Sequence, residues 1–131
     1  MSASITSYQP FTRFALSASL TLLLVLSQFA WAGVALFVSP ALWAAHGVTG
    51  FAVMLPLIAM LVQCRRDTPL ATLRPAVWTL FALYVVQVML AVAFNDGGFN
   101  GLRAVHAANA ALVLCFAAFV AQRAWAIARN R

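Results

Sequence analysis

The sequence contains no lysine and no glutamate, and its only acidic residues are Asp67 and Asp96. Charged residues occupy 8% of 131 positions, against about a quarter in a soluble domain. An outer surface this poor in charge has lipid around it. Cysteine is almost as scarce: Cys64 closes one apolar run and Cys115 lies deep in another, so no disulfide between them is expected. No C-x-x-C-H pattern occurs, which excludes covalent c-type haem attachment. Two well-separated aspartates make no carboxylate pair, and neither a Ser/His/Asp set nor a phosphate-binding loop is present. Catalysis by protein groups alone is not expected, and no residue is assigned a catalytic role.

What the chain does have is hydrophobic residues, 65% of the total, with a mean hydropathy of +0.96. Between Arg13 and Arg65 no residue carries a permanent charge over 51 positions, more than twice the roughly 20 residues that cross a bilayer. Ser39-Pro40 divides this stretch, serine suiting a helix N-cap and proline the first helical position. The expected spans are therefore 14–38 and 40–64, followed by a polar connection from Arg65 to Arg74. A third span covers 75–94, the turn NDGGFN follows, and a fourth covers 101–121. The first run has 25 residues, too long for a signal-peptide core of roughly 7–15. The fold class read from this pattern is all-α, an up-down four-helix bundle in the membrane, forming one domain over residues 1–131.

Every basic residue is an arginine, and the net charge is +6. The arginines lie between the apolar runs rather than along one face, so nucleic acid is not an expected partner. Arg13, Arg65, Arg66, Arg74, Arg123, Arg129 and Arg131 fall on one side of the membrane and Arg103 alone on the other. The positive-inside rule then puts both termini in the cytoplasm, and the lysine-free composition points to a bacterial inner membrane.

The two histidines stand out against this background. His46 is the seventh residue after Ser39, and His106 the sixth after Asn100. Both helices run in the same direction, so the imidazoles should differ in depth by about 1.5 Å. Second and fourth helices of an up-down bundle lie diagonally across the core. Opposed nitrogens near one membrane face suit a b-type haem with His46 and His106 as axial ligands, six-coordinate and moving electrons. The His46 face continues with Thr49, Gly50 and Val53, and the His106 face with Asn109, Ala110, Val113 and Ala117. These small side chains leave room for a porphyrin. Arg103, one turn before His106, could pair with a propionate. Asn109 could bond a propionate or the second imidazole nitrogen.

A plainer reading stands beside it. Intramembrane polar residues often hold helices together, and small residues mark close packing in any membrane bundle. The chain would then be a cofactor-free accessory or structural subunit, with a proton relay or another metal as further alternatives. Zinc or copper would lack cysteine or carboxylate ligands at that depth. A transporter is the poorest fit, because no buried charge marks a pathway. Gln28 and Gln87 are expected to bond between helices, with a quinone contact as the alternative. Pro56 should kink the second span, and Trp31, Trp43, Trp78 and Trp125 read mostly as interfacial anchors. Expected partners are the lipid bilayer, a redox partner or quinone, and a second copy of the chain. The histidine in the second helix of each hairpin also suggests a distant internal repeat.

The motifs HGVTG in the second span, H-x-x-N in the fourth and Q-R-A-W after it resemble a group of small, uncharacterised bacterial four-helix membrane proteins, from about Gln28 to Trp125. That group in turn resembles one four-helix half of haem A synthase, whose second and fourth helices carry haem-ligating histidines. The resemblance implies ligand positions at His46 and His106. The synthase also uses an acidic residue near the outer end of its first helix, and Gly33 to Ser39 contains none. Haem holding or electron transfer therefore fits better than haem hydroxylation. Reporter fusions test the orientation: Arg66 and the C-terminus should report cytoplasm and Gly98 the opposite side. A cytoplasmic signal from all three positions is incompatible with four spans.

Overall fold

Backbone N–H and C=O groups in hydrocarbon have no water to bond, so an isolated spanning segment has to become a helix. The computed structural model describes residues 9–95 and 101–130. Helix α1 runs Gln9–Phe37, and a single 3₁₀ turn, Pro40–Leu42, leads into α2, Trp43–Ala52. Helix α3 is Met54–Arg66, a second 3₁₀ turn covers Thr68–Leu73, α4 is Arg74–Asn95 and α5 is Gly101–Arg129. Among the described residues four helical segments are long and apolar enough to cross a membrane: Phe11–Phe37, Pro40–Arg66, Leu70–Ala93 and Gly101–Arg129. The protein is a multi-pass, all-α membrane protein.

Ser39 takes the expected cap position in extended backbone with Pro40 behind it, but its hydroxyl makes no capping bond. Pro56 interrupts the second span as expected. It has no N–H for the Ala52 carbonyl, so the hydrogen-bond ladder is interrupted at Val53, between α2 and α3, while Val53 keeps helical dihedrals and its carbonyl accepts from the Leu57 N–H at 3.4 Å.

Two boundaries differ from expectation. The fourth span was expected to end near Ala121, yet α5 continues to Arg129. Its last turns pack against α1, with Ala124 buried and the Trp125 indole N–H donating to the Ser19 hydroxyl at 2.9 Å. The connection from Arg65 to Arg74 is not simply polar, since its 3₁₀ turn buries Leu70 and Leu73 under the bundle. The Arg74 guanidinium donates to the Cys64 carbonyl at 2.9 Å, satisfying an end carbonyl of α3. Cys64 is buried, Cys115 exposed, and both are free thiols. The turn residues 96–100, with Asp96, and the terminal Arg131 lie outside the described residues.

The helices pack as a ring, α1 on α5, α5 on α4, α4 on α3 and α3 on α1. The second and fourth spans are therefore diagonal. The alternating directions gather the described arginines other than Arg103 at one end and leave the histidines nearer the other.

Buried positions repeat between the two hairpins. Phe11, Phe14, Ala18, Thr21 and Val25 are matched at an offset of 59 by Leu70, Leu73, Val77, Leu80 and Tyr84, all buried. Val53, Leu57, Met60 and Cys64 are matched at an offset of 60 by Val113, Ala117, Val120 and Ala124, again all buried. The repeat suggested by the histidines thus extends through most of the core. The halves differ at Pro56, whose counterpart in the unbroken α5 is Phe116.

Lipid and core are similarly apolar, so packing rather than transfer from water separates inside from outside. Leu80 is fully buried and Leu23 is 63% exposed. Leu80→Ala should cost about 2–5 kcal/mol through the cavity it leaves, while Leu23→Ala should cost almost nothing. Unfolding in mixed micelles would compare them, and equal costs would contradict this packing.

Candidate functional site

The histidine end is built from a polar contact made once in each hairpin. In the first, the His46 Nδ1 lies 3.1 Å from the Gln28 backbone carbonyl. A carbonyl can only accept, so Nδ1 carries the proton and Nε2 keeps its lone pair. In the second, the His106 Nδ1 lies 3.2 Å from the Gln87 carbonyl, which fixes the same tautomer. Gln28 and Gln87 occupy equivalent positions in α1 and α4, offset by 59 like the core around them.

The glutamine side chains also reach across, but to different partners. The Gln28 carboxamide lies 2.6 Å from the Thr49 hydroxyl. With its nitrogen turned to the His46 carbonyl at 2.8 Å, its oxygen accepts from the Thr49 hydroxyl and from the Gly50 N–H at 3.1 Å. Gln28 thus bonds the backbone of α2 directly beneath the imidazole. A β-carbon on Gly50 would come within 3.0 Å of this carboxamide. On the other flank, the Tyr84 hydroxyl donates to the Gly50 carbonyl at 3.2 Å. Gly50 is held between two helices.

The Gln87 carboxamide bonds the imidazole itself. Its nitrogen donates to His106 Nε2 at 3.0 Å, and its oxygen accepts from Asn109 Nδ2 at 2.7 Å. Asn109 is buried and donates also to the Leu83 carbonyl at 2.9 Å. Thr49 and Asn109 each sit three residues after a histidine and each meet the glutamine of the preceding span. Among the described residues no such amide meets His46 Nε2. Its other described contact is an edge-to-face one with Trp43, ring centres 5.3 Å apart.

The expected site residues are therefore only partly brought together as foreseen. His46, Gly50, His106 and Asn109 belong to this network. Arg103 lies one turn before His106 on α5, with its side chain exposed. The space beside Gly50, expected to admit a macrocycle, holds the Gln28 carboxamide. Asn109, expected to meet a propionate or an imidazole, bonds Leu83 and Gln87 instead. Gln28 and Gln87 do bond between helices as expected, but their role as histidine partners was not foreseen. The available signal was spacing, since each glutamine precedes its histidine by 18 or 19 residues. Tyr84 gave no comparable signal. No cluster of three or more His, Cys, Asp or Glu side chains able to hold a bare metal ion occurs among the described residues.

Residues 28–94, half of the chain, match a family of unknown function, DUF6220. The chain belongs to DUF6220. The matched stretch begins at Gln28 and includes His46, Thr49, Gly50, Tyr84 and Gln87, while His106 and Asn109 lie beyond it. No curated protein and no solved structure matches the chain.

The close approach at Gly50 can be tested directly. Gly50→Ala should displace the Gln28 carboxamide and cost about 1–3 kcal/mol, as overpacking does. In a Gln28→Ala background the same change should cost little, since the obstructing group is gone. A double-mutant cycle by unfolding in detergent measures the coupling, and additive costs would contradict the contact.

Proposed function

We propose that this protein is a membrane haem-binding protein in which His46 and His106 ligate one b-type haem, serving electron transfer or haem handling. The observation that carries the reading is the matched tautomer of the two imidazoles. Each Nδ1–H is bonded to a backbone carbonyl, an arrangement that metal-ligating histidines commonly use to orient the ring and raise the basicity of Nε2. The two Nε2 atoms are the only imidazole donors among the described residues, and they lie on these diagonal spans. The resemblance to one half of haem A synthase supports the same pair. A bis-imidazole haem supplies one-electron chemistry without an open position on iron.

This chain's own residues have defined tasks. His46 and His106 supply the ligating nitrogens. Gln28 and Gln87 hold the rings through their backbone carbonyls. Asn109 and Thr49 anchor the glutamine side chains, and Arg103 stands at the rim, where a propionate would meet it. One step has to precede ligation. The Gln87 carboxamide must turn away from His106 Nε2, leaving Asn109 on the Leu83 carbonyl. We also propose a bacterial inner-membrane location with the arginine-rich end, and so both termini, in the cytoplasm. The histidines then lie toward the outer face.

A second reading has its own observation. Gln87 alone satisfies both nitrogens of His106, and Gln28 fills the space at Gly50. Such a network needs no cofactor to hold the bundle together, which is the accessory-subunit reading.

Absorption spectra of the purified protein with and without dithionite separate the two. The haem reading expects one low-spin haem per chain in both oxidation states. His46→Ala or His106→Ala should give five-coordinate or lost haem, while Arg103→Ala should weaken retention and keep the low-spin spectrum. Colourless protein from cells replete in haem selects the packing reading. A spectrum that survives both histidine substitutions refutes the ligand assignment.

A further inference from the structure

A groove of about 820 Å³ runs along the seam of α1 and α5, in the half of the bundle away from the histidines. Its walls are Leu22 from α1 and Cys115, Ala118 and Phe119 from α5, and its arginine-end mouth carries Gln122 and Arg129. The shape has a local cause. Ala118, Ala121 and Ala126 keep the α5 wall low, while Trp125 stands across the seam with its N–H bonded to Ser19. The groove is therefore apolar along its length, and its own indole donor is already satisfied.

We propose that this groove binds an anionic phospholipid, one acyl chain lying along Leu22, Cys115, Ala118 and Phe119 and the headgroup phosphate meeting Arg129. Charge complementarity selects the occupant. Arg129 is exposed and makes no hydrogen bond or ion pair with any described residue. It stands at the end of the last turn of α5, among six described arginines at that end and only one described acid, Asp67. A guanidinium gives a phosphate paired, charge-assisted hydrogen bonds, and the Gln122 carboxamide can add a donor. Basic pockets between transmembrane helices on the cytoplasmic side are a recurring headgroup site. A second copy of the chain is the competing occupant, because the same α5 face carries small residues and an exposed thiol.

Trp125 reports from inside the groove. The full chain with Trp31→Phe, Trp43→Phe and Trp78→Phe keeps it as the sole tryptophan. This chain is reconstituted in phosphatidylcholine vesicles containing brominated phosphatidylglycerol or brominated phosphatidylcholine in matched amounts. Bound anionic lipid should quench Trp125 with about fivefold preference for the phosphatidylglycerol form, the enrichment expected of one guanidinium near the surface. Arg129→Gln should remove that preference. Arg65→Gln deletes the same charge on α3 and should leave it intact. Equal quenching by the two lipids overturns the proposal. So does equal loss in the two arginine variants, because a general surface field then explains the enrichment. Weak quenching by both lipids together with Cys115–Cys115 cross-linking also overturns it, in favour of a second copy.

Discussion

A carboxamide inside a bilayer has to find its hydrogen-bond partners within the protein, and the histidine end is arranged around that requirement. Gln28 and Gln87 each carry a side chain that water cannot reach from the middle of a span. Each meets the following span three residues beyond a histidine, and each lends its backbone carbonyl to that imidazole. One residue therefore sets the separation of its hairpin, the rotation of the facing helix and the tautomer of the histidine. Every bond in such a network constrains its neighbours, so removing one member leaves others unsatisfied in a low-dielectric setting.

The two hairpins solve the problem with different geometry. In the first, glycine at position 50 lets the Gln28 carboxamide lie against the backbone of α2. In the second the equivalent position is Ala110, and the Gln87 carboxamide lies instead between His106 and Asn109. The missing β-carbon at Gly50 gives the Gln28 carboxamide its place against the main chain, while the amide of Asn109, where the first hairpin has Thr49, holds that of Gln87. His46 keeps Nε2 available in the first arrangement, and His106 has it occupied in the second.

Much of this architecture is legible in composition. Charge-free runs locate the spans, Pro56 predicts the interrupted hydrogen-bond ladder at Val53, and midspan glutamines predict interhelical bonding because hydrocarbon offers no alternative. Where the reading fails, tertiary contact overrides local pattern. Gln122 and Arg123 look like the end of a span, but Trp125 finds Ser19 on α1 and draws the helix through to Arg129. Arg65 to Arg74 looks polar, yet Leu70 and Leu73 occupy the places of Phe11 and Phe14 in the repeat and are buried accordingly. The site follows the same division. Equal depth of the histidines can be counted from the caps, whereas the partner of an imidazole nitrogen depends on helix rotation, which spacing alone does not give.

The two ends of the bundle are held by different forces, and this bears on what the histidine end can accommodate. From Val53 and Val113 toward the arginines, matched side chains of both hairpins are buried in register. Helix α2, beyond the interrupted ladder at Val53, has no buried residue at all. It is tied instead by the His46 imidazole on the Gln28 carbonyl and by the Gln28 carboxamide and the Tyr84 hydroxyl, both meeting Gly50. Interhelical hydrogen bonds in membranes contribute about 0.6 kcal/mol each on average, less than a filled core position is worth. Segments with few buried contacts open at lower free energy than the packed core around them. Helix α2, which carries His46, is therefore the less firmly packed part of the second span.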